Sequence, residues 1–173
     1  MTAQTITGRV WKFGDNIDTD VLAPGLYMKG SLQELARHCL EAVEPRFAKE
    51  VKSGDIVVAG RNFGMGSSRE QAVMALRELG VGAVLATSFA GIFYRNALNL
   101  GLLALVCPDA SRIRAEATLG IETGTAKVRD LERGEAYAAE PLPPHLLQMV
   151  AEGGLLPHLE NKLRVQRSKE VRA

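Results

Sequence analysis

Cysteine is scarce. This chain of 173 residues has two, Cys39 and Cys107, far apart and neither in a Cys-x-x-Cys pair. They supply no zinc or iron–sulfur ligand set. Each reads as a buried free thiol, the common state of an unpaired cysteine. Histidine is sparse too: His38, His145 and His158 fall on separate elements with no metal-ligand spacing. Aromatic residues make up 5%, too few for a base-stacking surface. Neither sign of charge is in excess, with 21 Lys and Arg against 20 Asp and Glu, which argues against electrostatic binding to nucleic acid. No apolar run approaches a membrane span. The short polar segment 1–6 does not read as a signal peptide, so a cytoplasmic setting is expected.

What is present is an ordinary hydrophobic content of 46%, enough for a core without staples. One domain is expected over residues 1–161, with 162–173 a charged, frayed tail. Residues 6–13 read as a strand, followed by a long loop, 14–30, rich in Asp, Gly and Pro. Such loops are often functional. A helix starts after Ser31, with Glu34 completing a capping box. Leu32, Leu35, Ala36, Cys39, Leu40 and Val43 recur at helical spacing, and Pro45 ends it. Then come strand 55–60, a glycine-rich segment, and a helix to Leu79 closed by Gly80. Strand 83–86, a helix from Ser88 to about residue 100, and strand 102–106 complete the alternation. This pattern predicts an α/β fold, a mostly parallel sheet flanked by helices. The loops at the strands' C-terminal ends then share one edge, where such sheets bind ligands. After Pro108 the pattern changes to additional short C-terminal strands at 119–123, 126–131 and 135–138, with a turn at Arg133-Gly134. A last helix is predicted over 143–150.

Most of the chemistry lies in Arg61-Asn62-Phe63-Gly64-Met65-Gly66-Ser67-Ser68-Arg69-Glu70, between a strand and a helix. Gly64 and Gly66 let the backbone turn and approach a ligand closely. The helix start offers free N–H groups, two hydroxyls and a guanidinium, which together form a receptor for an anion. Plain capping is the alternative, with Ser67 as N-cap and Glu70 three residues on. Capping accounts for Ser67 and Glu70 but not for Gly64, Gly66 and Arg69 together. Arg suits a carboxylate because its planar fork binds two oxygens. A serine hydroxyl acts as a base only where positive charge and N–H dipoles favour its deprotonated form. A dinucleotide fingerprint fails, since Arg69 stands where the third glycine belongs and Thr87 and Ser88 stand where an acid should be. No Gly-Lys-Ser/Thr occurs. Asp15, Asp18 and Asp20 alternate, but a calcium loop would need Gly and Glu where Asp20 and Leu26 stand. Turn chemistry is the expectation there.

Four ordered blocks carry a resemblance. Gly14 to Asp20, Asn62 to Glu70, Ser88-Phe89-Ala90 with Ile92 to Ala97, and Asn99-Leu100-Gly101-Leu102 resemble the small subunits of 3-isopropylmalate dehydratase and homoaconitase. They are similar, too, to the swivelling β/β/α domain at the C-terminal end of aconitase. The resemblance implies a heteromeric hydro-lyase of leucine biosynthesis that isomerises a 2-hydroxy diacid, inactive without its partner. It implies a large subunit carrying a 4Fe-4S cluster, and no cofactor on this chain. It assigns Ser67 as the base, Arg69 and Ser68 as substrate-carboxylate ligands with Gly66 beside them, and Asp20 and Tyr27 as supporting residues. Substrate choice falls to Tyr27-Met28-Lys29-Gly30. Homoaconitase-like members resemble Tyr-Leu-Arg-Thr there, and isopropylmalate enzymes often carry an apolar third residue. Lys29 is therefore a candidate selector among isopropylmalate, homocitrate and a methylated malate. Met65 and Gly91 depart from the family's usual cysteine and arginine. The rival readings are a stand-alone anion-binding module and an RNA-binding role, the latter opposed by the near-neutral charge.

Overall fold

The computed structural model describes residues 4–170. Strand β1 (Thr5–Lys12) opens the chain and leads to a four-residue helix α1 (Thr19–Leu22), a 3-10 turn (Gly25–Tyr27), α2 (Leu32–Arg37) and α3 (Phe47–Glu50). Strict alternation follows: β2 (Ile56–Ala59), α4 (Glu70–Glu78), β3 (Ala83–Ala86), α5 (Gly91–Asn99) and β4 (Leu103–Val106). Strands β5 (Thr118–Glu122), β6 (Lys127–Asp130) and β7 (Ala136–Ala138) precede α6 (Pro144–Ala151) and α7 (Leu155–Glu170). Among the described residues the strands form one sheet in the order β4-β3-β2-β1-β5-β6-β7. Strands β1 to β4 pair in parallel, and β5, β6 and β7 extend the same sheet from β1 in antiparallel order. The sheet is therefore mixed, and the short C-terminal strands are its second half.

Every residue of β2 and β3 is buried, because helices or strands cover both faces of the parallel half. Val57, Ala59, Val84, Ala86 and Ala104 point to the layer of α1, α2, α4 and α5. Ile56, Val58, Leu85, Leu103 and Leu105 point to the opposite layer, with Met149 of α6 and Ile121 of β5. Full burial of each of the Val, Leu and Ile side chains contributes about 1.5–3 kcal/mol. Buried Asp55 ties β1 to β2, its carboxylate accepting from Arg9 N at 3.1 Å, Trp11 Nε1 at 2.9 Å and Lys52 N at 2.9 Å.

Several local expectations are corrected. The loop 14–30 is not structureless: Asp18 Oδ1 caps α1 by accepting from Val21 N at 2.8 Å. Ser31 does cap α2, but the helix stops at Arg37, not Pro45. Leu40 takes a left-handed φ of 61°, and its N–H turns to Val21 O at 2.9 Å, a tertiary bond that overrides the helical spacing. Helix α5 has Ala90 as its N-cap, and Ser88 Oγ accepts from Asn62 N instead, at 2.9 Å. The expected frayed tail continues α7 through Glu170, while residues 171–173 lie outside those described, as do residues 1–3 of the polar N-terminal segment. Both cysteines are free and buried. Burial pushes the Cys39 thiol well above its ordinary value, and burial likewise raises Cys107.

Candidate active site

Three loops leave the C-terminal ends of the neighbouring strands β1, β2 and β3 and meet on one edge. Short parallel bridges stitch them together, Asp18 to Met65 and Phe63 to Phe89. Gly64 N donates to Ile17 O at 2.7 Å, Thr19 N to Met65 O at 2.8 Å, and Phe63 N to Ser88 O at 3.0 Å. At the entrance Asp15 accepts from Arg61 N at 2.7 Å and pairs with its guanidinium at 3.0 Å. These contacts hold its carboxyl below the usual range, chiefly through the backbone bond. Asn62 and Asn16 both adopt a φ of 59°, and Asn62 Nδ2 donates to Asn16 Oδ1 at 3.2 Å. The aspartates of the first loop thus divide: Asp18 caps its own turn, as turn chemistry predicts, Asp15 ties the loop to Arg61 across 46 positions, and Asp20 goes to the site.

The segment 67–70 is not a capping box. Helix α4 begins at Glu70, its N-cap is Arg69, and no side chain caps it. Ser67 is free of that duty and exposed. Its oxygen lies 3.1 Å from Thr19 Oγ1, which also accepts from Ser67 N at 3.1 Å. Gly66 has a φ of 105°, and a Cβ there would lie 3.0 Å from Thr19 Oγ1. Glycine is what allows this approach. Arg69 is half-buried, donates to Ala23 O at 3.1 Å and pairs with Asp20. Two consecutive residues of α1, Thr19 and Asp20, therefore hold the two groups singled out in the sequence. Ser68 is exposed, and its carbonyl accepts from Asn96 Nδ2 at 3.4 Å.

The loop of Tyr27 and Lys29 is anchored apart from this clamp. The Tyr27 ring stacks on His38 with centroids 3.5 Å apart, and His38 Nδ1 lies 2.7 Å from Glu41. That stacking engages the face of Tyr27, which makes it an anchor of the loop. Lys29 is exposed and makes no ion pair among the described residues. The residue missed in the sequence is Thr19. Its only signal was a hydroxyl between two aspartates, in a loop read for turn chemistry.

A model of the aconitase C-terminal domain family matches residues 32–110. The homoaconitase small subunit of Methanothermobacter thermautotrophicus is 47% identical over 154 residues, 88% of this chain and 89% of that protein. The 3-isopropylmalate dehydratase small subunit of Moorella thermoacetica is 45% identical over 161 residues, 92% and 97% of the two chains. The crystal structure of 3-isopropylmalate dehydratase from Methanocaldococcus jannaschii superposes with a TM-score of 0.91 at 39% identity, covering 96% of this chain and 99% of that one. The chain belongs to the family of 3-isopropylmalate dehydratase and homoaconitase small subunits.

Met65 and Gly91, read in the sequence as departures, have plain surroundings. Met65 Sδ accepts from Asn62 Nδ2 at 3.4 Å, so the thioether joins the loop contacts. Gly91 is the first residue of α5, and a side chain there would meet nothing within 4 Å. No group of three His, Cys, Asp or Glu able to hold a metal occurs among the described residues. No helix among them is long and apolar enough to cross a membrane.

Proposed function

We propose that this chain is the small subunit of 3-isopropylmalate dehydratase, a heteromeric hydro-lyase that moves a hydroxyl between neighbouring carbons of a diacid. The observation that carries the reading is the presentation of Ser67 and Arg69 on one exposed sheet edge, each gripped by a residue of α1. In this reading Arg69 and the N–H groups entering α4 bind a substrate carboxylate, with Ser68 and Gly66 beside it. Ser67 Oγ takes the carbon-bound proton, and the electron pair of that C–H bond becomes the second bond of the alkene as hydroxide leaves. Re-addition of water at the adjacent carbon returns the proton from Ser67. A 4Fe-4S cluster on a separate large subunit supplies Lewis-acid chemistry at the hydroxyl.

The open edge favours this division of labour, because a partner seated over it excludes water and strengthens the pull of the Arg69 cation and the nearby N–H dipoles on the serine oxygen. The test is Ser67→Ala assayed with the large subunit. Turnover falls by a factor of at least ~10², the range of a lost proton-transfer group, with assembly intact. Near wild-type turnover rejects the role. A homoaconitase-type substrate is the second reading, favoured by the exposed cation Lys29.

A further inference from the structure

We infer that Thr19 is a positioning residue for Ser67: it fixes the serine side chain and donates a hydrogen bond to its deprotonated oxygen. The inference rests on the assignment of Ser67 as proton acceptor. Thr19 Oγ1 stands 3.1 Å from both Ser67 N and Ser67 Oγ. A hydroxyl has one proton to give and two lone pairs. One lone pair is taken by the Ser67 N–H, which can only donate. While Ser67 is protonated, the bond between the two oxygens can run either way. Once Ser67 is ionised it has no proton, and only Thr19 can donate. The contact therefore strengthens in the charged state, where a charge-assisted bond is about twice as strong as a neutral one, and it favours that state.

The rest of the site is arranged to keep Thr19 there. Its side chain is buried, with the residue 2% exposed, while Ser67 faces solvent. Thr19 N is bound to Met65 O at 2.8 Å, Ala23 N donates to Thr19 O at 2.9 Å, and Asp18 caps the same turn. Gly66 spares Thr19 Oγ1 a Cβ that would lie 3.0 Å from it. A hydroxyl that merely tied two loops together would need no contact with the serine oxygen, since the Ser67 N–H alone would serve.

The experiment compares Thr19→Val, Thr19→Ser and Ser67→Ala in the complex with the large subunit. Thr19→Val lowers kcat by about 10- to 100-fold with KM little changed, the scale of one hydrogen bond to a charged group. The rising limb of the kcat/KM profile moves to higher pH by about 1–2 units, since that fold-change is a tenfold step per unit. Thr19→Ser restores both. Thr19→Ala adds no bulk, and the same losses are expected of it should the valine variant fail to assemble. Normal kcat in Thr19→Val beside an inactive Ser67→Ala overturns this inference alone. So does a loss that Thr19→Ser does not repair, or one confined to KM with an unmoved pH profile. An active Ser67→Ala overturns the base assignment, and this inference with it.

Discussion

Replacing Gly64 by alanine tests how the site loop is built. Gly64 has a φ of 79°, and its N–H is committed to Ile17 O at 2.7 Å. A Cβ there would fall 2.5 Å from Phe93 Cδ2 and closer still to Phe93 Cβ and Cγ. Carbon contacts are optimal at about 3.5–4.0 Å, so roughly 1 Å or more must be gained by movement. The ring has little room to move. Phe93 is 2% exposed, sits edge-on to Phe63 with centroids 5.2 Å apart, and stacks parallel to Phe89. The left-handed conformation costs an alanine about 1–2 kcal/mol, and overpacking adds about 1–3 kcal/mol. The sum, about 2–5 kcal/mol, is a large part of a typical stability of about 5–15 kcal/mol. With a urea slope of about 2 kcal/mol/M, the unfolding midpoint of the free subunit drops by about 1–2.5 M. Gly91→Ala is the matched control. It sits at an open helix start, and it leaves the midpoint unchanged or raises stability by up to about 1 kcal/mol. A Gly64→Ala midpoint indistinguishable from wild type would show that the loop is not pinned against Phe93 and would refute the reasoning.

Three further outcomes follow from the geometry. Arg69→Lys raises KM by about tenfold or more with a smaller effect on kcat, because an ammonium cannot reproduce the planar two-oxygen grip; an unchanged KM in steady-state assays counts against carboxylate binding. Lys29→Val shifts relative kcat/KM away from homocitrate and toward isopropylmalate in a screen of both with methylated malates, since the exposed cation is removed without disturbing the Tyr27–His38 anchor; unmoved selectivity sinks the selector role. Asp130 is fully buried, and although burial pushes its carboxyl up, bonds from Arg133 N, the Arg114 guanidinium and Glu132 N outweigh that and hold it below the usual range. Its stabilisation is complete above the unfolded value of about 3.9 and is lost as pH falls through the lower folded value. Asp130→Asn therefore loses about 3 kcal/mol or more at pH 7, and its stability falls less steeply in acid than wild type in urea titrations from pH 7 to 3.

The parallel half of the sheet was legible because its signals are local. Ile56–Ala59 and Ala83–Ala86 are short apolar runs buried on both faces, and one helix, closed by Gly80, separates them. α7 was missed because an exposed helix needs no apolar stripe. Its Lys, Arg, Glu and Gln are good helix formers, and the same residues read as a solvated tail. α1 was missed because four residues carry no periodicity; one aspartate cap and bonds to the Met65 loop hold it in place.

At the site, Ser67 and Glu70 have the spacing of a capping box, and nothing within ten residues separates a cap from a catalytic hydroxyl. The distinction lies in the partner of the hydroxyl, Thr19, which is 48 positions away. Arg69 likewise finds Ala23 O across 46 positions. Adjacent residues on a single helical turn point in different directions, so Thr19 and Asp20 can reach Ser67 and Arg69, which stand two apart on the segment that enters α4. That pairing needs both elements to be rigid and in fixed register. The Met65–Thr19 and Gly64–Ile17 backbone bonds set the register. On the roles proposed for Ser67 and Arg69, a change that slips the two loops past each other disables proton transfer and carboxylate binding together, whereas a change in either side chain alone separates them.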